Sequence, residues 1–334
     1  MERLAGAAAR HLSPEGRRRL EEAACAHEEL EAGLAEIAAS AEQLVAEMDF
    51  RPLFNPTRRL LSVGFDLDRR ERVTACYDLL ASEARLAGFV AIAKGDVPVE
   101  SWFRTGRPLV TIQGTSATLS WSGTMFEYLM PTLWMRGYQN TLLERSARAA
   151  VLAQEQYAAE RRVPWGISES AYARRDAAGS YQYQAFGVPS LRLRLDGEDR
   201  LVVAPYATCL ALGAAPAPAV ANLRRMARLG WSGRYGFFEA ADYGTDAVPP
   251  SKPEVIRSWM AHHQGMSLLA LGNVLAGAPF QRWFHASLPV QAVDLLLQER
   301  VPVSVQVAAP QASIAERRRR RLKRRMQGTR VRSA

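Results

Sequence analysis

Cysteine is scarce in this 334-residue chain: Cys25, Cys76 and Cys209 are odd in number and far apart. They build neither a disulfide framework nor a metal-binding spacing, so a reducing compartment is the default. No stretch approaches the ~18 uninterrupted apolar residues that a membrane-spanning helix needs. The first residues, Met1 to Ala9, lack the apolar region of a secretory signal. These absences make the cytoplasm the expected location. Also missing are a phosphate-binding glycine loop with its lysine and a G-x-G-x-x-G opening a helix. Gly166-Ile-Ser-Glu-Ser170 lacks the closing glycine of a nucleophile elbow. There is no internal repeat and no strand–helix–strand alternation, which counts against a doubly wound sheet.

What is present is an ordinary globular composition, 48% hydrophobic and 23% charged. A chain of this length can bury about three quarters of its unfolded surface. The net charge of +9 is placed unevenly. Residues 311–334 hold ten Lys and Arg against Glu316 alone, so residues 1–310 are formally neutral. The basic balance therefore describes an appendage, and no specific nucleic-acid partner is expected of the body.

Ser13-Pro14-Glu15 is a helix start: capping serine, proline at the first helical position, acid in the first turn. Leu30, Leu34, Ile37, Leu44 and Met48 then recur at helical spacing. This defines an amphipathic N-terminal segment over residues 1–50, ahead of a main domain over 51–303 and a basic, disordered tail over 304–334. Further helices are predicted near 74–94, 125–136, 142–161, 205–213, 218–229, 253–275 and 289–299. Two hairpins are predicted, 109–112 with 117–121 turning at Gly114-Thr115, and 191–195 with 200–203 turning at Asp196-Gly197. The pattern is mainly α, with serial helices whose aromatic-rich loops converge at one end.

Most of those loops interleave rings with carboxylates and amides: Leu119 to Pro131, Val163 to Tyr172, Tyr181 to Pro189, Arg234 to Tyr243 and His262 to Met266. Sugars present apolar C–H faces and dense hydroxyls, so their sites need both kinds of group. The bland alternative is that the aromatics are core. Glu83 is expected in the middle of the apolar stripe of the 74–94 helix, flanked by Leu79, Leu80, Leu86, Ala87 and Val90. A carboxylate there is costly unless it is functional or paired, for instance with Arg257. Glu169, in a polar loop after Trp165-Gly166, suits a second, ionised carboxylate. Glu127 and Glu239 are further candidates. Two carboxyls about 5–5.5 Å apart would give a retaining glycosidase, ~6.5–9.5 Å an inverting one. His262 and His263 diverge by ~100° on one helix, which suits hydrogen bonding better than shared metal binding.

Five ordered motifs, Tyr77 to Arg85, Trp121 to Pro131, Trp165 to Ser170, Tyr235 to Glu239 and Met260 to Met266, resemble the glycoamylase-like domain of bacterial cyclic β-1,2-glucan synthases. The resemblance runs from about residue 54 to 302. It implies an (α/α)6 toroid that cuts and rejoins β-1,2-glucan by retaining transglycosylation, with no cofactor and no metal. It implies Glu83 and Glu169 as the catalytic pair; their roles stay interchangeable, with Glu169 preferred as nucleophile. Asp78, Trp121, Glu127, Tyr128, Trp165, Tyr172, Tyr183, Tyr235, Glu239, Arg257, His262, His263 and Gln264 would line the cleft. The implied partners are a β-glucan chain and a membrane-bound glucan synthase. In those synthases a glycosyltransferase module precedes this domain and a phosphorylase-like module follows it; neither is in these 334 residues. A glucan-binding domain without catalysis is the alternative reading.

Overall fold

In the computed structural model the described residues are 13–194, 200–245 and 252–301. The expected basic tail and the Asp196-Gly197 turn lie outside them. The chain divides into two compact units that meet in sequence between Phe50 and Arg51. The first holds a single helix, α1 (Pro14–Glu47), whose start is capped by the Ser13 hydroxyl accepting from the Gly16 amide at 3.2 Å. About half of the described chain is helical and the sheets are small. Among the described residues, no helix is long and apolar enough to cross a membrane.

The second unit opens with two short ribbons, β1 (Phe54–Asn55) with β2 (Leu60–Leu61) and β3 (Phe65–Asp66) with β4 (Glu71–Arg72). Helices α2 (Arg85–Ala93) and α3 (Glu100–Arg104) follow, then the hairpin of β5 (Leu109–Ile112) and β6 (Thr115–Thr118). Its turn is Gln113-Gly114, one residue earlier than predicted, because both residues take positive φ (47° and 80°). Next come α4 (Met125–Leu129), α5 (Leu142–Arg161), and the ribbon of β7 (Ser170–Arg175) and β8 (Tyr181–Gln184). Strand β9 (Arg200–Val203) leads into α6 (Pro205–Leu210) and α7 (Pro216–Arg228). The ribbon of β10 (Ser232–Gly233) and β11 (Gly236–Phe237) precedes β12 (Ala240–Thr245) and β13 (Glu254–Ile256). Last are α8 (Ala261–Leu275), α9 (Pro279–Ala286) and α10 (Leu288–Val293).

Three expectations fail for one reason: strand pairing takes residues the sequence offered elsewhere. The helix expected over 74–94 begins only at Arg85. Before it, Leu79 bridges Gly106 and Cys76 bridges Ser62, so Leu79, Leu80 and Ala81 are buried in a bridged and bent segment rather than a helix. A short apolar run is ambiguous between the two conformations. The helix expected from Pro253 starts at Ala261, because Glu254–Ile256 pairs with β12. Strand β9 also pairs with β12 rather than with 191–195, completing the sheet β13–β12–β9.

Helix α5 is the spine beneath the site. Thr141 caps it, alanines at 147, 149, 150, 153 and 158 make its buried face thin, and Gln154 sits fully buried among them. One core joins α5 to α6, β9, β12 and the loop at Trp165.

Candidate active site

Two loops carry the expected catalytic carboxylates. Gln154 grips the first: its amide oxygen accepts from the Ile167 and Gly166 amides (2.7 and 3.3 Å), and its NH2 donates to the Ile167 carbonyl at 2.8 Å. Asn222 and Thr208 donate to the Trp165 carbonyl (2.7 and 3.0 Å). Gly166 has φ +125°, and a Cβ there would stand 2.8 Å from the Thr208 hydroxyl and 3.0 Å from the Ala204 carbonyl. Only glycine fits this crossing. The loop then delivers Glu169, half-buried, at the start of β7.

Glu83 lies in the turn before α2 and is half-buried, not in mid-stripe of a helix. The Ser82 hydroxyl donates to its carboxylate at 3.2 Å. The expected alternative, an ion pair with Arg257, is not found among the described residues. Arg257 is exposed and lies over the Phe238 ring at 5.0 Å. The buried arginine nearby is Arg85, which donates to the Ser82, Glu127 and Tyr128 carbonyls at 3.1, 2.6 and 2.6 Å. Burial lowers its pKa to about 10, while the Glu83 charge holds it up.

The carboxylates share one electrostatic field. Burial pushes Glu169 above the ordinary carboxylate range; the Tyr183 hydrogen bond pulls it back, and the Glu83 charge pushes it up again. Glu127 is also raised, first by burial and in smaller part by Glu83. Its carboxylate is fully engaged as the third residue of α4, accepting from the Ser120 hydroxyl (2.8 Å), the Ser122 amide (3.1 Å) and the Thr124 amide (2.9 Å). That is a capping box, and the carboxylate faces its own loop rather than solvent.

Behind Glu169 runs a chain of polar contacts. The Tyr183 hydroxyl donates to Glu169 Oε1 at 3.0 Å and lies 3.4 Å from His263 Nε2. His263 Nδ1 meets both Glu239 oxygens at 2.9 Å. The imidazole lies flat on Tyr206, centroids 3.6 Å apart and planes 8° apart. Tyr206 in turn donates to the Ser168 hydroxyl and the Glu169 carbonyl, both at 2.9 Å. Glu239 and His263 are 2% and 1% exposed, so they sit behind the wall rather than on it. Glu239 also accepts from the Ala171 amide at 3.2 Å, tying β7 to β12.

The remaining expected residues separate by exposure. Trp121 is 46% exposed, its indole N–H donating to Asp78 at 3.0 Å, with Asp78 also bound by Arg58 at 3.2 Å. Tyr183, Tyr235, Arg257 and His262 also reach solvent, Tyr235 edge-on to Trp259 at 5.3 Å. Gln264 is half-buried and donates to the Phe237 carbonyl at 3.2 Å. Tyr128, Trp165 and Tyr172 are core: Tyr128 donates to the Thr118 carbonyl at 2.8 Å and Tyr172 to Gln182 at 2.8 Å. A cavity of about 290 Å³ lined by Arg85, Leu133, Met135, Leu210 and Ala270 touches none of the site residues expected from the sequence. Among the described residues, no group of His, Cys, Asp and Glu has the arrangement to hold a metal ion.

Tyr206, Arg85 and Gln154 escaped the sequence reading. Gln154 had a usable signal, a polar residue at i+4 and i+3 from Ala150 and Val151 on an apolar face; Tyr206 and Arg85 had none.

The Glycoamylase family model matches residues 76–287. The chain belongs to that family. A 270-residue stretch is 45% identical to the cyclic β-(1,2)-glucan synthase NdvB of Rhizobium meliloti, covering 80% of this chain and 10% of the synthase. Among solved structures, the endo-β-1,2-glucanase of Chitinophaga pinensis, in complex with sophorotriose and glucose, matches with a TM-score of 0.56 at 18% identity. The match covers 79% of this chain and 65% of that one. The β-1,2-glucanase of Parabacteroides distasonis matches with a TM-score of 0.56 at 14% identity, over 79% of this chain and 41% of that one. This Glycoamylase chain thus has the glucanase-like helical fold, while spanning a tenth of the synthase it matches and less than two thirds of either glucanase.

Proposed function

We propose that this glycoamylase-like domain cuts β-1,2-glucan and rejoins the cut end by retaining chemistry, its helices forming part of an (α/α)6 toroid. Glu169 would attack the anomeric carbon while Glu83 gives its proton to the departing glycosidic oxygen. Glu83 would then take a proton from an incoming hydroxyl as the glycosyl–Glu169 ester breaks. A sugar hydroxyl completes transfer and water completes hydrolysis. Trp121, held edge-on by Asp78, offers the face on which a pyranose ring stacks.

One observation carries the reading: the half-buried Glu169 carboxyl is held by the Tyr183 hydroxyl and lies within the electrostatic reach of Glu83. Glu239 and His263 are read as supports that orient Tyr183, not as sugar ligands. Identity to NdvB favours β-1,2-glucan as the polymer and work beside a glucan synthase.

The test is incubation with linear β-1,2-glucan, following products by mass and anomeric configuration by NMR. Cyclic or shortened glucans of retained configuration are expected, lost in Glu169→Gln. Inverted products would overturn the assignment of Glu169 as nucleophile, and binding without turnover would leave a glucan-binding module.

A further inference from the structure

Helix α1 exposes a row of apolar side chains along its 34 residues and buries none of them. Leu30, Leu34, Ile37, Leu44 and Met48 are 60%, 57%, 66%, 65% and 51% exposed. With Ala41 they follow one another at steps of 4, 3, 4, 3 and 4, and Ala23, His27 and Leu20 continue the rhythm upstream. The period is 3.5, not the 3.6 of a helix lying on a globular core, and it persists for four heptads. That is the spacing a two-stranded coiled-coil seam requires.

We propose that α1 pairs with α1 of a second copy of this chain, antiparallel, about a twofold axis at Ala32. In that register the seam matches itself: Leu20 meets Leu44, Ala23 meets Ala41, His27 meets Ile37 and Leu30 meets Leu34. Large side chains face large and small face small, and each contact occurs twice, as a closed symmetric dimer requires. The positions flanking the seam include Ala24, Ala26, Gly33, Ala38 and Ser40, small enough for close approach of the two backbones.

Charge selects the orientation. Arg17, Arg18 and Arg19 crowd the start of α1, and Glu42, Glu47 and Asp49 its end. The antiparallel pair sets Arg19 opposite Glu47 at both ends, whereas a parallel pair would set arginines beside arginines and His27 against His27. Arg19 now pairs with Glu15 one turn away at 2.9 Å, with both side chains exposed; such a pair is weak and yields readily.

Sedimentation equilibrium of the full chain over a wide concentration range tests this. Twice the 37.0 kDa chain mass is expected, falling twofold in the Leu30→Glu, Leu34→Glu double variant with the melt of the second unit unchanged. On a Cys25→Ser background, Arg19→Cys with Glu47→Cys should oxidise to a disulfide-linked dimer, and Arg19→Cys alone should not. A monomeric wild type, a dimer that survives the double variant, or ready cross-linking of Arg19→Cys alone would each overturn the proposal. The first result would leave the seam to a helix of another polypeptide, the last would make the pair parallel.

Discussion

At Glu169, burial pushes the carboxyl above its ordinary range, and the hydrogen bond from Tyr183 counters it. A hydrogen bond to the ionised form favours ionisation, so removing it raises the pKa further. A nucleophile must be ionised. Tyr183→Phe is therefore expected to move the acid limb of the kcat/KM profile to higher pH, with the alkaline limb unmoved; an unshifted acid limb would separate Tyr183 from Glu169. The buried Glu239–His263 pair works differently, through stability. Glu239→Ala leaves the imidazole without its partner and the Ala171 amide without its acceptor, a loss of about 3 kcal/mol or more. Urea unfolding measures that, and a loss below ~1 kcal/mol would show that the pair carries no structural weight. Both partners were named from the sequence as candidates to line the cleft. The burial of His263 could be read as well, since it falls in phase with Met266 and Ala270 on the inward face of α8, whereas Glu239 lies in no run whose period fixes an inward face.

Among the elements, the Trp165–Glu169 loop matters most, since the peptide groups around Gly166 are held by side chains of α5, α6 and α7 and by the Ala204 amide. A methyl group on Gly166 would collide with the Thr208 hydroxyl and the Ala204 carbonyl, at a backbone angle that L side chains rarely adopt. Gly166→Ala should lower the melting temperature and reduce glucan turnover together, because Glu169 lies three residues on. A variant with an unchanged melt and full turnover would refute the account of this crossing. Local signals were enough for α5: Thr141 at the cap and a long alanine-rich run gave residues 142–161 both ends. They failed at 74–84, where the partners of Leu79 and Cys76, Gly106 and Ser62, are distant in sequence or hidden in a loop. Glu83 was thus chosen for a place in a helical stripe, and it stands half-buried in a turn instead.

For the whole molecule, the formal charge is concentrated in residues 311–334, and the rest is neutral. Deleting that segment should abolish retention on a polyanion column while leaving glucan products unchanged; retained binding would require a basic groove on the body. The exposure of Trp121 has an optical consequence. Of the seven tryptophans, Trp102, Trp165 and Trp231 are buried and emit from apolar surroundings, whereas Trp121, Trp259 and Trp283 meet water, Trp121 with its N–H on Asp78. A pyranose stacked on that indole would strip its hydration. Adding β-1,2-glucan to Glu169→Gln should shift emission to shorter wavelength and shield the fluorophore from acrylamide, and Trp121→Phe should erase both changes. The protein would then report its own occupancy in light, without a label and without turnover.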